Sequence, residues 1–361
     1  MTVQEIQRYP YVDSLRGIAI LMVVAVHAAQ IVFHPGLYAS IFSKGAYGVQ
    51  LFFIVSSLTL FLSYEQRKNI DGKNVAKFFF IRRFFRIAPA FYVAICLYTV
   101  AYFLKNHILL GYYGSIDLPQ LLLFASFLGV LYPPSMYILP FGGWTVQVEM
   151  FFYTLIPFLF KILSTLKRAV LFFIFSWLGY YGIERTLLHN SLDGYTPLLL
   201  PLAQIPVFTI GIILFHVIKD KKNIIRSPYL FFSTLVIYTC LALYLTKVST
   251  LIPEPLAFSL FFGGLVLLMS GSYIPLLQNK VMAFFGEVSY SLYLFHFAII
   301  LFFWYTYRAT SHFWNTPPLI SFLIIYFLTI SIGGFISKAS YTYIEKNGIN
   351  LGKKLIRKYT R

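Results

Sequence analysis

The chain has 361 residues, of which 59% are hydrophobic and only 11% are charged, and its mean hydropathy is +0.75. Apolar stretches of about 17–25 residues recur from end to end, which excludes a water-soluble globular domain. The formal net charge of +17 is typical of nucleic-acid binding, but the positions of the basic residues favour a different explanation and no nucleic-acid partner is expected.

The apolar stretches predict an all-α, polytopic bundle of about ten membrane-spanning helices. They lie at 11–33, 46–64, 88–105, 144–164, 168–184, 197–218, 229–246, 256–273, 284–307 and 318–342. One further apolar stretch, 118–132, is short and is followed by Pro133-Pro134. Its composition is compatible with a span, a re-entrant segment or an interfacial segment.

The distribution of Lys and Arg decides between these alternatives, because cytoplasmic loops of membrane proteins carry the excess of basic residues. If 118–132 does not span, 23 of the 29 basic residues fall in inner segments and five in outer ones. If it does span, the outer segments hold 17 and the inner ones 11. The first arrangement predicts both termini in the cytoplasm and 118–143 as an outer loop or re-entrant segment. The net charge is then mainly an orientation signal with some attraction to anionic membrane lipid.

The first predicted span carries two ionisable residues on one face. Arg16 and His27 are eleven residues apart, which is about three helical turns plus 20° and about 16 Å along the axis. Arg16 lies toward the cytoplasm and His27 about 9 Å below the outer surface. An imidazole at this position is suited to general acid–base catalysis, or to a hydrogen bond between helices.

Basic residues are concentrated in the predicted inner loop 65–87, at Lys77 and Arg82 and in Arg83-Phe-Phe-Arg86. Arginine matches phosphate oxygens in a bidentate manner, so this cluster could bind a phosphorylated cytosolic cofactor. A generic basic loop more often contacts lipid phosphates, and spacing alone does not separate the two interpretations.

The fourth predicted span begins with Trp144 as an outer-interface anchor and contains Glu149 and Tyr153. We predict Glu149 about 7–8 Å below the outer surface, at a depth similar to that of His27. A buried carboxylate needs a partner. Glu149 could therefore orient His27, pair with an arginine or bond to Tyr153.

The ninth predicted span carries Ser289, Tyr293 and His296 at i, i+4 and i+7, which places them in one polar stripe. The stripe could supply a second catalytic group, line a tunnel for the substrate, or hold helices together. None of the histidines shows a spacing typical of metal ligands, so no metal is predicted.

Together, four stretches resemble the membrane acyltransferase-3 family of bacterial integral-membrane O-acyltransferases. They are Arg16-x10-His27, Arg83-x-x-Arg86 followed by Ile-Ala-Pro, Trp144 to Tyr153, and Gly286 to His296. They occur in the family's order and extend over essentially the whole chain, which predicts a single acyltransferase domain over 1–361. The chain has Ser56-Ser57 where members usually have Ser-Gly, which leaves open how closely a helix packs at Ser57.

The resemblance implies transfer of an acyl group, usually acetyl, from cytosolic acyl-CoA to a hydroxyl of a cell-surface polysaccharide or lipid-linked sugar. It implies a bacterial cytoplasmic membrane, with His27 catalytic and Arg16, Arg83 and Arg86 binding the CoA donor. Glu149 is expected to assist His27, and Trp144, Tyr153, Ser289, Tyr293 and His296 are candidates for substrate or tunnel contacts. No counterpart is expected of the extracytoplasmic esterase-like domain that some members carry.

Two alternatives use the same buried polar residues differently. A transporter or flippase of lipid-linked sugars would use them as a substrate or proton path, although the chain shows no inverted repeat. A non-catalytic assembly subunit would use them only to hold its helices together. The sequence does not decide the acceptor or the oligomeric state.

Overall fold

The structure is a computed structural model. It describes residues 9–33, 36–108, 118–132, 140–183, 201–219, 227–248, 254–310 and 316–360.

All regular secondary structure in these ranges is helical, and fourteen α-helices follow one another along the described chain. They are α1 (Pro10–Val32), α2 (Leu37–Ser43), α3 (Gly48–Asp71), α4 (Val75–Ile108), α5 (Leu118–Ala125), α6 (Trp144–Ile162), α7 (Leu166–Ile183), α8 (Pro201–Lys219), α9 (Pro228–Val248), α10 (Glu254–Gly271), α11 (Lys280–Glu287), α12 (Ser289–Thr310), α13 (Pro318–Ser340) and α14 (Lys346–Tyr359). A π-helical turn, Tyr341–Glu345, joins α13 to α14.

Seven described stretches are long and apolar enough to cross a membrane, which makes this a multi-pass membrane protein. They are Pro10–Val32, Leu37–Tyr102, Trp144–Ile162, Pro201–Lys219, Glu254–Gly271, Ser289–Tyr307 and Pro318–Tyr359. Large apolar side chains also point outward, as at Phe335, which is 81% exposed. The count of ten spans and the cytoplasmic position of both termini stay predictions.

The structure corrects the predicted inner loop 65–87. Helix α3 extends to Asp71, a single 3-10 turn follows, and α4 already begins at Val75. Arg83 and Arg86 therefore lie on a helix and have fixed directions. Pro89 lies inside α4; it has no N–H to offer to the carbonyl of Phe85 four residues earlier.

The ambiguous stretch after α4 forms the eight-residue helix α5. Such a helix is about 12 Å long, much shorter than a membrane's hydrocarbon core, so it does not cross a bilayer alone. The buried side chain of Gln147 holds its end, because Nε2 donates to the carbonyl of Phe124 at 2.7 Å and Oε1 accepts from the Gly129 N–H at 3.1 Å. Residues 133–139 of the predicted outer segment lie outside the described part.

The described chain divides into two compact units, each made of separate stretches. The first unit comprises 1–19, 47–75 and 155–287. Within it, α3 packs closely on α8, and a Cβ at Gly211 would overlap the Ser57 hydroxyl and the Ile54 carbonyl. The close approach of α3 and α8 at Ser57 is therefore provided by the glycine on α8.

The second unit comprises 20–46, 76–154 and 288–361. It contains the second half of α1, most of α4, the first part of α6, and α12 to α14. One cluster of its apolar core joins Ala28, Ala29 and Val32 of α1 to Phe322 and Ile325 of α13. This packing fixes the part of α1 that carries His27.

Candidate functional site

His27 lies in a group of rings within the second unit. Its Nδ1 is 2.9 Å from Gln30 Oε1, one turn along α1. Because an amide oxygen only accepts, this contact assigns the hydrogen to Nδ1 and leaves a lone pair on Nε2. The ring of His296 is 5.5 Å away and that of Phe297 is 4.3 Å away, centroid to centroid. We call His27, Gln30, His296 and Phe297 the histidine group.

His296 is completely buried, and its protonation pattern is fixed by the backbone. Its Nδ1 lies 2.7 Å from the carbonyl oxygen of Tyr293 and 3.1 Å from that of Leu292, and a carbonyl can only accept. The hydrogen is therefore on Nδ1, and Nε2 is an acceptor without a partner in the described part of the chain. An unsatisfied buried acceptor is costly, so this nitrogen is a position for a substrate hydroxyl or amide N–H.

Tyr98 of α4 holds α12 at the same level. Its hydroxyl donates to the carbonyl of Leu294 at 3.0 Å and accepts from the N–H of Ala298 at 2.9 Å. These two backbone groups are i and i+4, which pair with each other in a regular α-helix. A side chain bound between them bends or opens a helix locally, here on either side of His296.

We expect Tyr98→Phe to lower activity without unfolding the protein, because it removes only the hydroxyl that spans Leu294 and Ala298. The measurement is the thermal unfolding midpoint together with kcat and donor KM for the acyl transfer that the family resemblance implies. A several-fold fall in kcat at unchanged donor KM is expected. Tyr92→Phe, on an exposed part of α4, is the matched control; equal kinetics for the two variants would contradict the positioning role.

The chain just before α6 closes one side of the histidine group. Tyr293 donates its hydroxyl hydrogen to the carbonyl of Gly142 at 2.9 Å, and the Phe141 ring lies 5.5 Å from Phe297. Gly142 has φ +74°, and a Cβ there would lie 2.9 Å from the Tyr293 hydroxyl. This left-handed conformation and the close contact both favour glycine.

Gly142→Ala should destabilise the protein by about 1–2 kcal/mol, since it adds the left-handed backbone cost of an L-residue. It should also displace Tyr293 and lower activity. Thermal unfolding of the purified protein measures the first effect and donor turnover the second. Gly271→Ala is the control, because open space surrounds that position and its φ is not in the left-handed region; equal loss in both variants would contradict the packing argument.

Arg83, Arg86, Glu149 and Tyr153 form a second cluster, which we call the arginine group. Tyr153 donates to Glu149 Oε1 at 2.7 Å, and Arg83 Cζ lies 5.9 Å from the centre of the Tyr153 ring. The charges of Arg83, Arg86 and Glu149 all act on the buried Tyr153 hydroxyl. Arg83 and Arg86 supply two guanidinium groups to this cluster, and guanidinium groups suit a phosphate or other polyanionic ligand.

Tyr290 extends the arginine group along α12. Its hydroxyl donates to the carbonyl of Ile87 at 2.9 Å. The charges of Arg86, Glu149 and Glu345 also act on this hydroxyl. Glu345, only 2% exposed in the π-helical turn, accepts a hydrogen bond from Ser291. Tyr290 and His296 are six residues apart on α12, so the two groups are about 9 Å apart along that helix.

The structure places Glu149 differently from the prediction. The hydrogen-bond partner of His27 is Gln30, and no hydrogen bond or ion pair joins His27 to Glu149 among the described residues. The reason is that α6 begins beside the histidine group, where Gly142 meets Tyr293, and then carries Glu149 about 7 Å further along its axis. The hydrogen bond from Tyr153 to Glu149 is one of the three alternatives, and Arg83 and Arg86 act on the same Tyr153 hydroxyl.

Arg16, Ser289 and Trp144 are the remaining predicted site residues. Arg16 belongs to the first unit, where it donates to Thr59 Oγ1 at 3.3 Å and lies 3.8 Å from Asp13. Ser289 is buried at the start of α12, and Trp144 is partly buried at the start of α6. Within the described ranges, no three His, Cys, Asp or Glu side chains are grouped as metal ligands would be.

Sequence reasoning missed Gln30, Tyr98, Gly142 and Glu345. Only Glu345 carries a signal in the sequence, as an acidic residue just after the last apolar stretch. The roles of the others depend on contacts between distant parts of the chain.

Comparison with known proteins decides the family. Residues 9–337 match the acyltransferase domain of the acyltransferase-3 type, over parts of both units. The chain belongs to this acyltransferase family. It is a membrane-bound acyltransferase, and the earlier resemblance is confirmed.

Two relatives show how far the similarity reaches. A protein of Acidianus two-tailed virus, provisionally named an acetyltransferase, is 26% identical over 80% of this chain and 82% of its own length. A protein of Staphylococcus aureus strain COL, provisionally named an O-acetyltransferase, is 24% identical over 93% of this chain. The chain spans 56% of the length of that staphylococcal protein. No solved structure matches the chain.

Proposed function

We propose that this acyltransferase moves an acyl group, most simply acetyl, from cytosolic acyl-CoA to a hydroxyl of a cell-surface polysaccharide or lipid-linked sugar. The observation that supports this most directly is His27, whose Nδ1 is held by Gln30 while its Nε2 has no hydrogen-bond partner among the described residues. An imidazole in this state can accept a proton at neutral pH.

The reacting groups are the hydroxyl of the acceptor and the thioester of the donor. His27 Nε2 takes the proton of the acceptor hydroxyl as its oxygen attacks the thioester carbonyl carbon. The carbon–sulfur bond then breaks, and the leaving thiolate takes the proton back from the imidazolium, which gives an ester and free CoA. Direct transfer and transfer through an acyl intermediate share this first requirement for a base.

His296 has a complementary role in the proposal. Its buried Nε2 can only accept, so it binds a second donor group of the acceptor while His27 deprotonates the first. A sugar with neighbouring hydroxyls offers both groups. Tyr293 and Phe297 form the walls beside them. Trp144 and Ser289, the first residues of α6 and α12, stay in the proposal as candidates for the substrate path.

The arginine group is the proposed donor site. Arg83 and Arg86 bind phosphate oxygens of CoA, and the acyl end extends along α12 toward the histidine group. Glu149 is then a positioning residue, because it holds Tyr153 next to Arg83. Arg16 stays in the proposal as a further donor-binding residue on the family resemblance.

A transfer assay tests the proposal. The purified protein is reconstituted in lipid, supplied with acetyl-CoA labelled in the acetyl group, and mixed with glycan from cells that lack the protein. We expect label to appear in base-labile esters of the glycan as CoA thiol is released. Movement of sugar lipids across vesicle membranes without ester formation would support the transporter alternative and contradict the proposal.

A further inference from the structure

The last helix, α14, has two opposite faces of different chemistry. At 100° per residue, Lys353, Lys354, Arg357 and Lys358 fall within about 140° of arc. All four are exposed, and none has a partner among the residues that the structure describes. Gly348 and Gly352, both buried, lie on the other side of the helix.

The glycine face of α14 packs against α4 at the turn that carries the donor arginines. A Cβ at Gly348 would lie 2.5 Å from the Phe85 carbonyl oxygen and 2.7 Å from Pro89, and a Cβ at Gly352 would lie 2.9 Å from Phe85 Cβ. Phe85 stands between Arg83 and Arg86 in the sequence. Its carbonyl is the one that Pro89 leaves without a helical N–H, so α14 covers a discontinuity in α4.

A third contact fixes the far end of α14. Lys77 Nζ lies 3.5 Å from the centre of the Tyr359 ring, which is a cation–π contact. The helix is thus attached to α4 at both ends, with the turn of Arg83 and Arg86 between the attachment points. Its four free cations point away from α4.

The charge on this outer face identifies the partner. We propose that α14 binds the headgroups of anionic lipids with Lys353, Lys354, Arg357 and Lys358, and thereby holds the Arg83–Arg86 turn of α4 in place. A basic amphipathic helix that follows directly on an apolar, span-length helix lies where a bilayer surface begins. Clusters of basic residues at this position attract anionic headgroups.

The two parts of the proposal are measured separately. Binding of lipid by α14 is independent of the enzyme's chemistry, whereas the effect on the donor site rests on the proposed function. Backbone hydrogen exchange of Lys346–Tyr359 reports the first, and the KM for acetyl-CoA, from release of CoA thiol, reports the second.

The full-length protein is reconstituted in nanodiscs of phosphatidylcholine with increasing fractions of phosphatidylglycerol. We expect exchange in α14 to slow by at least about tenfold as the anionic fraction rises, and high salt to reverse this. The quadruple variant Lys353→Gln/Lys354→Gln/Arg357→Gln/Lys358→Gln should show no dependence on phosphatidylglycerol. The control removes the same charge elsewhere, at the exposed residues Lys73, Lys161, Lys167 and Arg168, and should retain it.

Gly348→Ala tests the contact with α4. It should speed exchange in α14 at every lipid composition and raise the acetyl-CoA KM several-fold, whereas Gly271→Ala should do neither. If Gly348→Ala leaves α14 exchange unchanged, the packing argument is wrong.

Three results would overturn the proposal. One is exchange in wild-type α14 that does not respond to phosphatidylglycerol, and another is a quadruple variant that still responds. The third is a quadruple variant whose acetyl-CoA KM rises equally in pure phosphatidylcholine, since the cations would then bind the donor itself. If the wild type never turns over acetyl-CoA while α14 still responds to lipid, the proposed function fails and the lipid site stands.

Discussion

His27→Gln is expected to lower the rate of acyl transfer by about 10²–10⁴-fold, because it removes the only base in the proposed mechanism and keeps a polar side chain of similar length. Donor binding should change little, since the arginine group lies about 9 Å away along α12. The measurement is kcat and donor KM of the reconstituted protein, with thermal unfolding as a check on folding.

His216→Gln is the matched control for this variant. His216 also lies on an apolar helix, where its Nε2 is 2.8 Å from the carbonyl of Leu163, and it belongs to the first unit. It should retain transfer even if it loses some stability. A His27→Gln protein that is folded and transfers at the wild-type rate would eliminate His27 as the base.

Replacing both Arg83 and Arg86 with alanine is expected to raise the donor KM by about 10²-fold or more, because two arginines are lost and each charge-assisted hydrogen bond to phosphate contributes about 1.5–3 kcal/mol. Lysine at both positions should recover part of the affinity, since it keeps the charge and loses the bidentate geometry. Titration with a non-hydrolysable acyl-CoA analogue measures the effect directly.

Lys73→Ala is the control for the arginine variants, since Lys73 is an exposed cation in the turn immediately before α4. The analogue's affinity should be unchanged in that variant. Equal affinities in the wild type and the double arginine variant would move the donor site elsewhere in the molecule.

Much of the fold follows from local sequence patterns. Each predicted span corresponds to a helix in the described ranges, because apolar runs of membrane length form helices whatever their neighbours are. The stretch 118–132 forms only the eight-residue helix α5, and its position outside the spans, which was inferred from charge distribution, stays a prediction. Helix ends were less predictable: α4 begins at Val75, since Lys, Arg and Phe continue a helix as readily as they form a loop.

The sequence indicates which residues belong to the candidate site better than it indicates which of them contact each other. Ionisable residues in or near apolar helices are energetically costly and therefore indicate a function. This criterion selects Arg83, Arg86, His27 and His296. The pairing of Glu149 with His27 rested on Trp144 marking the membrane surface. The structure starts α6 beside the histidine group, and this depends on the contact of Gly142 with Tyr293, which joins positions 151 residues apart.

Glu345 is a second residue whose position hydrophobic periodicity does not predict. The apolar pattern ends near residue 342, so an acidic residue three positions later belongs to the predicted tail. The π-helical turn instead continues the helix and turns Glu345 inward to Ser291. A change of helical pitch over five residues is not encoded in hydrophobic periodicity, and π-turns of this kind are frequent at functional sites.

The most direct test of the account is the ester-linked acetyl content of surface glycans from cells that carry the wild-type protein, His27→Gln or no protein, each measured by mass before and after mild base. Base-labile acetyl groups are expected only with the wild-type protein, at matched membrane levels of the two proteins. The same acetyl content with His27→Gln as with the wild type would contradict it.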